Sequence, residues 1–183
     1  SGIGQGALVT TTGNPITVPM GDFLLGRIIS PLGEPIDGRP LDTTDATWMH
    51  IDNPPPEAFD RPIITEKFSC GVRAIDSLLT LGGGQRMGLF AGSGVGKSTL
   101  LGMIARNSDA DVNVVALIGE RGREVKEFVE DSLGPEGMAK SVLVCSTGDQ
   151  PPLIRQKCLH TATSVCEYFR DQGKKVFLMT DTV

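Results

Sequence analysis

Beyond Pro62 the chain alternates between two apolar patterns. Stretches 88–91, 112–118, 142–145 and 176–179 are nearly continuous in apolar residues, as strands covered on both faces are. Between them apolar residues recur at helical spacing. Leu100, Leu101, Ile104 and Ala105 follow the first stretch, and residues 125–133 follow the second. A longer stripe of Ile154, Cys158, Ala162, Val165, Cys166 and Phe169 is entered through Pro151 and Pro152. An earlier helix is expected through Val72, Ile75, Leu78 and Leu79, ended by Gly82, Gly83 and Gly84, which deliver the chain into strand 88–91. Apolar strands alternating with amphipathic helices specify an α/β fold with a mostly parallel sheet, whose ligands sit at the carboxyl ends of the strands.

Before Pro62 the pattern changes. Residues 1–21 are rich in glycine and threonine, with one alternating piece at 16–20 that reads as a strand too short to bury a core alone. Residues 22–62 hold short strands broken by turns, among them 24–29, then 31–35 and 36–38. Three successive prolines at 54–56 deny a helix and mark an extended connector. The expected division is therefore 1–21, 22–62 and 63–183.

Composition narrows the function classes. A net charge of -5 leaves no electrostatic footprint for nucleic acid or an anionic membrane surface. Trp48 and Tyr168 are single residues of their kind and offer no stacking platform for single strands. The four cysteines, Cys70, Cys145, Cys158 and Cys166, lack paired metal-ligand spacing and read as buried thiols of a reducing compartment. His50 and His160 read as structural or surface histidines. No run has the length of a membrane span, and Ser1-Gly2-Ile3-Gly4 is not a signal peptide, so a cytoplasmic location is expected.

The chemistry gathers at the strand ends. After strand 88–91, Gly92-Ser93-Gly94-Val95-Gly96-Lys97-Ser98-Thr99 leads into a helix, which is the order of a phosphate-binding loop. Gly92, Gly94 and Gly96 let the backbone curl, so that amides from Gly94 and Val95 through Thr99 point at one anion beside the helix dipole. Lys97 would span the outer phosphates of a triphosphate, and the Ser98 hydroxyl would hold magnesium. Ala91 stands where the strict pattern begins with glycine. Strand 112–118 runs into Gly119-Glu120-Arg121-Gly122-Arg123-Glu124, and the last strand into Thr180-Asp181. Asp181 would hold magnesium through water, Glu120 would orient an attacking water, and Glu124 could join the metal's water shell. Arg121 or Arg123 could touch phosphate or a neighbouring subunit. The bland alternative is a charge cluster at a helix start that pairs within itself.

Four blocks carry a resemblance: Gly26-Arg27-Ile28 with Pro35-Ile36-Asp37-Gly38; residues 85–98; Gly119 to Val125; and residues 167–173. Together they closely resemble the ATPase of type III secretion systems and its flagellar export relatives, which are similar to the catalytic beta subunit of rotary ATP synthases. The likeness covers nearly all of residues 16–183. It implies a RecA-type P-loop NTPase core, with residues 1–21 a remnant of an N-terminal β-barrel and the sheet incomplete at its C-terminal end. It also implies ATP and magnesium as cofactors, with Glu120 activating water, Lys97 and Ser98 on phosphate and metal, Asp181 as the Walker B carboxylate, and Arg121 near the phosphates and subunit interface. Hydrolysis would power export, with release of chaperones and unfolding of substrates. The partners implied are a homo-hexamer, secretion chaperones, export substrates, and stalk and regulatory proteins. The location implied is the cytoplasmic face of the inner membrane, with no nucleic acid.

Relatives of that kind continue past the Walker B strand, while this chain stops at Val183. The resemblance therefore implies a missing arginine finger, worth roughly a thousand to a hundred thousand fold in rate, and weak binding with negligible turnover for the chain alone. The rivals are the catalytic subunit of a proton-pumping rotary enzyme, a non-catalytic nucleotide-binding ring subunit, and a nucleic-acid translocase.

Overall fold

The structure is a computed structural model that describes residues 4–11, 13–92 and 94–181. Ser93 of the expected phosphate loop lies outside the described residues, as do Ser1 to Ile3 at one end and Val183 at the other. In chain order the strands are β1 (Thr17–Met20), β2 (Arg27–Ile29), β3 (Thr47–His50), β4 (Lys67–Phe68), β5 (Leu81–Gly82), β6 (Val112–Ile118), β7 (Ser141–Ser146) and β8 (Val176–Thr180). The helices are α1 (Arg73–Leu78), α2 (Lys97–Asn107), α3 (Gly122–Glu127), α4 (Gly134–Ala139) and α5 (Pro152–Asp171). A π-helical turn, Phe128–Leu133, joins α3 to α4.

The main sheet has the order β2-β7-β6-β8, with every pair parallel. β6 shows why its pattern is continuous. Val112, Val114 and Ala116 face α5 and pack with Cys158, Ala162, Val165 and Phe169, while Val115 and Leu117 face Ala105, Val125, Phe128 and Leu133. Both sides of the pleat are thus under helix, and the one polar side chain of β6, Asn113, is buried and donates to the Ala105 carbonyl at 2.8 Å. β1 and β3 form an antiparallel pair against the α5 face, contributing Val18 and Met20 to its core.

β2 comes from residues 22–62, yet it is the edge strand of the main sheet, with Arg27 beside Val142 and Ile29 beside Val144. Its outer side is sheathed by the following turn: the Ile36 amide donates to the Ile28 carbonyl at 2.9 Å, and Pro35 bridges Ile29. A clasp fixes that turn. Arg27 grips Asp37 through Nε at 2.7 Å and Nη2 at 3.0 Å, and Arg39 donates to both Asp37 and the Gly26 carbonyl. The Arg27 guanidinium holds the Asp37 carboxyl far below the usual carboxylate range.

Two expectations change. Residues 88–91 form no ladder among the described residues, and Phe90 is 96% exposed. An apolar run becomes a strand only where a neighbour accepts its hydrogen bonds, and none of the described strands lies beside this one. The early helix is also shorter than its apolar spacing implies. Ile75 is buried, but Leu78 is 81% exposed, because Thr80 at φ 38° ends the helix and turns Leu81 into a hairpin with β4. Gly82 therefore sits in a strand rather than closing a helix.

Candidate functional site

The loop before α2 takes its shape from two glycines. Gly94 has φ 75° and Gly96 has φ 96°, a region that disfavours side chains, and Gly96 caps the helix as the Leu100 amide donates to its carbonyl. Lys97 and Ser98 are then the first residues of α2, with Thr99 after them in its first turn. Gly92, Gly94, Val95, Gly96, Ser98 and Thr99 are exposed, an open rim of backbone amides at a helix N-terminus.

The opposite wall comes from the ends of neighbouring strands. Asp181 comes directly after β8 and is fixed by its amide, which donates to the Ala116 carbonyl at 3.1 Å. Glu120 is reached from β6 through Gly119, whose φ of 79° turns the chain. The Gly119 amide donates to Ser146 at 2.7 Å, and the Glu120 carbonyl accepts from Gly148 at 3.1 Å. Glu124 lies in the first turn of α3 and accepts from the Arg121 amide at 3.3 Å.

These elements converge. Lys97 Nζ stands 2.6 Å from Asp181 Oδ1, and also donates to the Asp181 backbone carbonyl at 3.3 Å. One pocket is lined by Ser98, Leu117, Glu120, Glu124, Val125, Phe128 and Asp181. Three carboxyls crowded there cannot all ionise freely. Hydrogen bonds to Asp181 and then Glu124, together with burial, push Glu120 up to about 8, so it carries the shared proton. Burial alone would raise Asp181, but hydrogen bonds from Glu120 and Lys97 outweigh it and hold its carboxyl low. Glu124 is lowered by the bond from Glu120 and by the Arg121 amide.

The sequence-predicted residues thus divide. Ser98, Glu120, Glu124 and Asp181 line one pocket, Lys97 joins it through Asp181, and the glycine loop leads directly into Lys97 and Ser98. Arg121 turns outward and pairs with Glu124 at 3.5 Å, and Arg123 pairs with Glu127 at 3.6 Å. The apolar walls, Leu117, Val125 and Phe128, are not among the expected site residues. Their place on the apolar faces of β6 and the helix after it is the signal that could have found them.

The donor set suits magnesium. A hydroxyl and several carboxylates share the pocket, while no group of three His, Cys, Asp or Glu among the described residues has the spacing of an all-protein cage. Magnesium is ordinarily held by one or two protein oxygens, with phosphate and water completing its shell.

A curled glycine loop opening a helix at the carboxyl edge of a parallel sheet, faced by carboxylates from two adjacent strands, defines a P-loop nucleotide-binding core. Comparison with known proteins narrows the class. The chain belongs to the ATP synthase alpha/beta family, whose nucleotide-binding domain matches residues 71–183. It is 52% identical over 181 residues to the flagellum-specific ATP synthase of Bacillus subtilis, covering 99% of this chain and 41% of that protein. It is 49% identical to the type 3 secretion system ATPase of Xanthomonas euvesicatoria, covering 100% of this chain and again 41% of the relative. Among solved structures it superposes on the assembled ATPase EscN in complex with its central stalk EscO, from the enteropathogenic E. coli type III secretion system. That match has a TM-score of 0.85 and 51% identity, covering 92% of this chain and 41% of that one. The chain therefore spans less than half the length of these relatives.

Proposed function

We propose that this chain is part of the catalytic core of an ATPase that drives protein export through a flagellar or type III secretion apparatus. The observation that carries the reading is the meeting of Lys97 and Asp181 at 2.6 Å in a pocket shared with Ser98 and Glu120. Amides of the loop through Gly92, Gly94, Val95, Gly96 and Thr99 hold the phosphates of ATP, and Lys97 exchanges Asp181 for the outer two. Ser98 and Asp181, with Glu124 in the water shell, would hold magnesium, which supplies charge neutralisation at the phosphates. Glu120 orients and polarises the attacking water. Its position two residues after β6, beyond the Gly119 turn, brings it to the pocket. Arg121, turned outward onto Glu124, is assigned to phosphate or to a neighbouring subunit.

The assembled relative with its stalk supports a ring, a homo-hexamer, as the working form. Chaperones, export substrates and regulatory proteins are the partners this reading assigns, with the complex peripheral to the cytoplasmic face of the inner membrane. No helix among the described residues is long and apolar enough to cross a membrane.

The test uses the full-length protein. Lys97→Ala is expected to lose both ATP binding and turnover. Glu120→Gln is expected to lower kcat by about a hundredfold or more while retaining nucleotide affinity. Equal loss of binding in both variants would return Glu120 to a structural role.

A further inference from the structure

Lys97 and Ser98 open α2, whereas Glu120 and Glu124 belong to the loop and helix that run into the π-helical turn. α2 packs directly against that turn, which links the two sets. They meet at Gly102. A Cβ on Gly102 would fall far inside contact distance of the Ser132 carbonyl oxygen and carbon, backbone atoms that cannot swing aside as a side-chain tip can. Glycine there serves space and not conformation, since the residue lies within regular helix. Arg106, one helical turn further along α2, donates through Nη1 to that same Ser132 carbonyl. Turns with π winding depart from the ordinary helical ladder and recur at functional sites. Here the carbonyl of such a turn is seated in a notch and pinned by a guanidinium. Phe128, from the same turn, and Val125, just before it, are walls of the pocket.

We propose that Gly102 and Arg106 are positioning residues that set how far Glu120 stands from Lys97 and Ser98. The inference rests on the hydrolytic reading of the pocket. A methyl group at position 102 forces α2 and the turn apart. The phosphate-holding loop precedes position 102 and keeps its own backbone geometry, so ATP is still held. The water-orienting group is displaced from it. Misplacement by about 1 Å costs on the order of a hundredfold in rate.

The experiment compares Gly102→Ala, Gly102→Val, Arg106→Lys, Arg106→Ala and Glu120→Gln in the full-length protein, reading affinity for a fluorescent ATP analogue, KM, kcat and thermal melting. Gly102→Ala is expected to lower kcat by about tenfold to a hundredfold, with nucleotide affinity changed by less than about twofold. Arg106→Lys, which keeps a donor, is expected to retain more kcat than Arg106→Ala. Wild-type kcat in Gly102→Ala overturns the proposal, as does a loss of affinity that matches the loss of kcat. If Gly102→Val shows no folded transition, the alanine variant and the Arg106 pair decide. An inactive Glu120→Gln beside a fully active Gly102→Ala overturns the positioning role alone. A fully active Glu120→Gln overturns the hydrolytic reading and the positioning role with it.

Discussion

At the scale of single residues, Glu120 is the most informative group. Its neighbours lift it from 4.5 to about 8. The folded chain therefore binds a proton that the unfolded chain releases between those values, and stability falls as pH rises across that window. Glu120→Gln carries no titrating group there, so it should flatten that decline and melt at a higher temperature than the parent near pH 8. Melting curves taken without nucleotide from pH 5 to pH 9 check this, and an unchanged slope in the variant would refute the crowding of the three carboxyls. Much of this site was legible in the residues themselves. Gly94, Gly96, Lys97 and Ser98 stand in one short run, whose types and spacing dictate the turn at the glycines and the helix start that follows. The carboxylates Glu120 and Asp181 are found by looking just beyond the carboxyl end of each apolar strand, a rule of position that needs no knowledge of side-chain direction. The orientation of Arg121 was not legible, because an arginine stem reaches Glu124 or the pocket mouth equally well, and sequence spacing does not choose between them.

At the scale of elements, two features govern stability. The α5 stripe is the principal cover of one sheet face, with Phe169 fully enclosed against β6 and β1. Phe169→Ala should cost about 3–5 kcal/mol, read as a lower urea midpoint at unchanged slope. The Arg27–Asp37 clasp is the second. Its side chains are only 11% and 8% exposed. Removing the carboxylate by Asp37→Ala strands a guanidinium against the sheet edge and should cost about 3 kcal/mol. Because the Asp37 pKa is lowered in the folded chain, its contribution is present above the ordinary value of 3.8 and is lost as pH falls. The two changes should therefore differ in their acid dependence. Periodicity identifies α5 and β6 because both are long enough for pattern to dominate. Residues 24–29 read as a short strand, but the pattern cannot foresee that Arg27–Ile29 joins the main sheet, since its three residues owe their place to β7. The same reasoning explains the run at 88–91, where apolar composition is present but none of the described strands pairs with it.

At the scale of the whole molecule, the pairing of β2 with β7 makes the early and late parts of the chain one cooperative object. Residues 57–60 beyond the proline run are exposed, Phe59 fully so, and a protease that cuts after aromatic residues should nick the chain there. The two pieces are then expected to stay together on a sizing column, because β2, Val18, Met20 and Leu24 remain in the core. Separation under native conditions would show that the sheet edge contributes little. Further contacts tie the connector itself to α5: Asp52 meets Lys157 at 2.9 Å and His160 at 2.8 Å, and Asn53 donates to Glu167 at 2.7 Å.

That same pairing sets a timing problem for the cell. Arg27 is translated well before Val142, its mate in the ladder. At ordinary rates of chain elongation the wait is on the order of ten seconds. Throughout it, Leu24, Leu25, Ile28 and Ile29 hang from the ribosome without cover. A nascent-chain holdase thus has a defined window in which to act, and a slow codon anywhere between those two positions lengthens it.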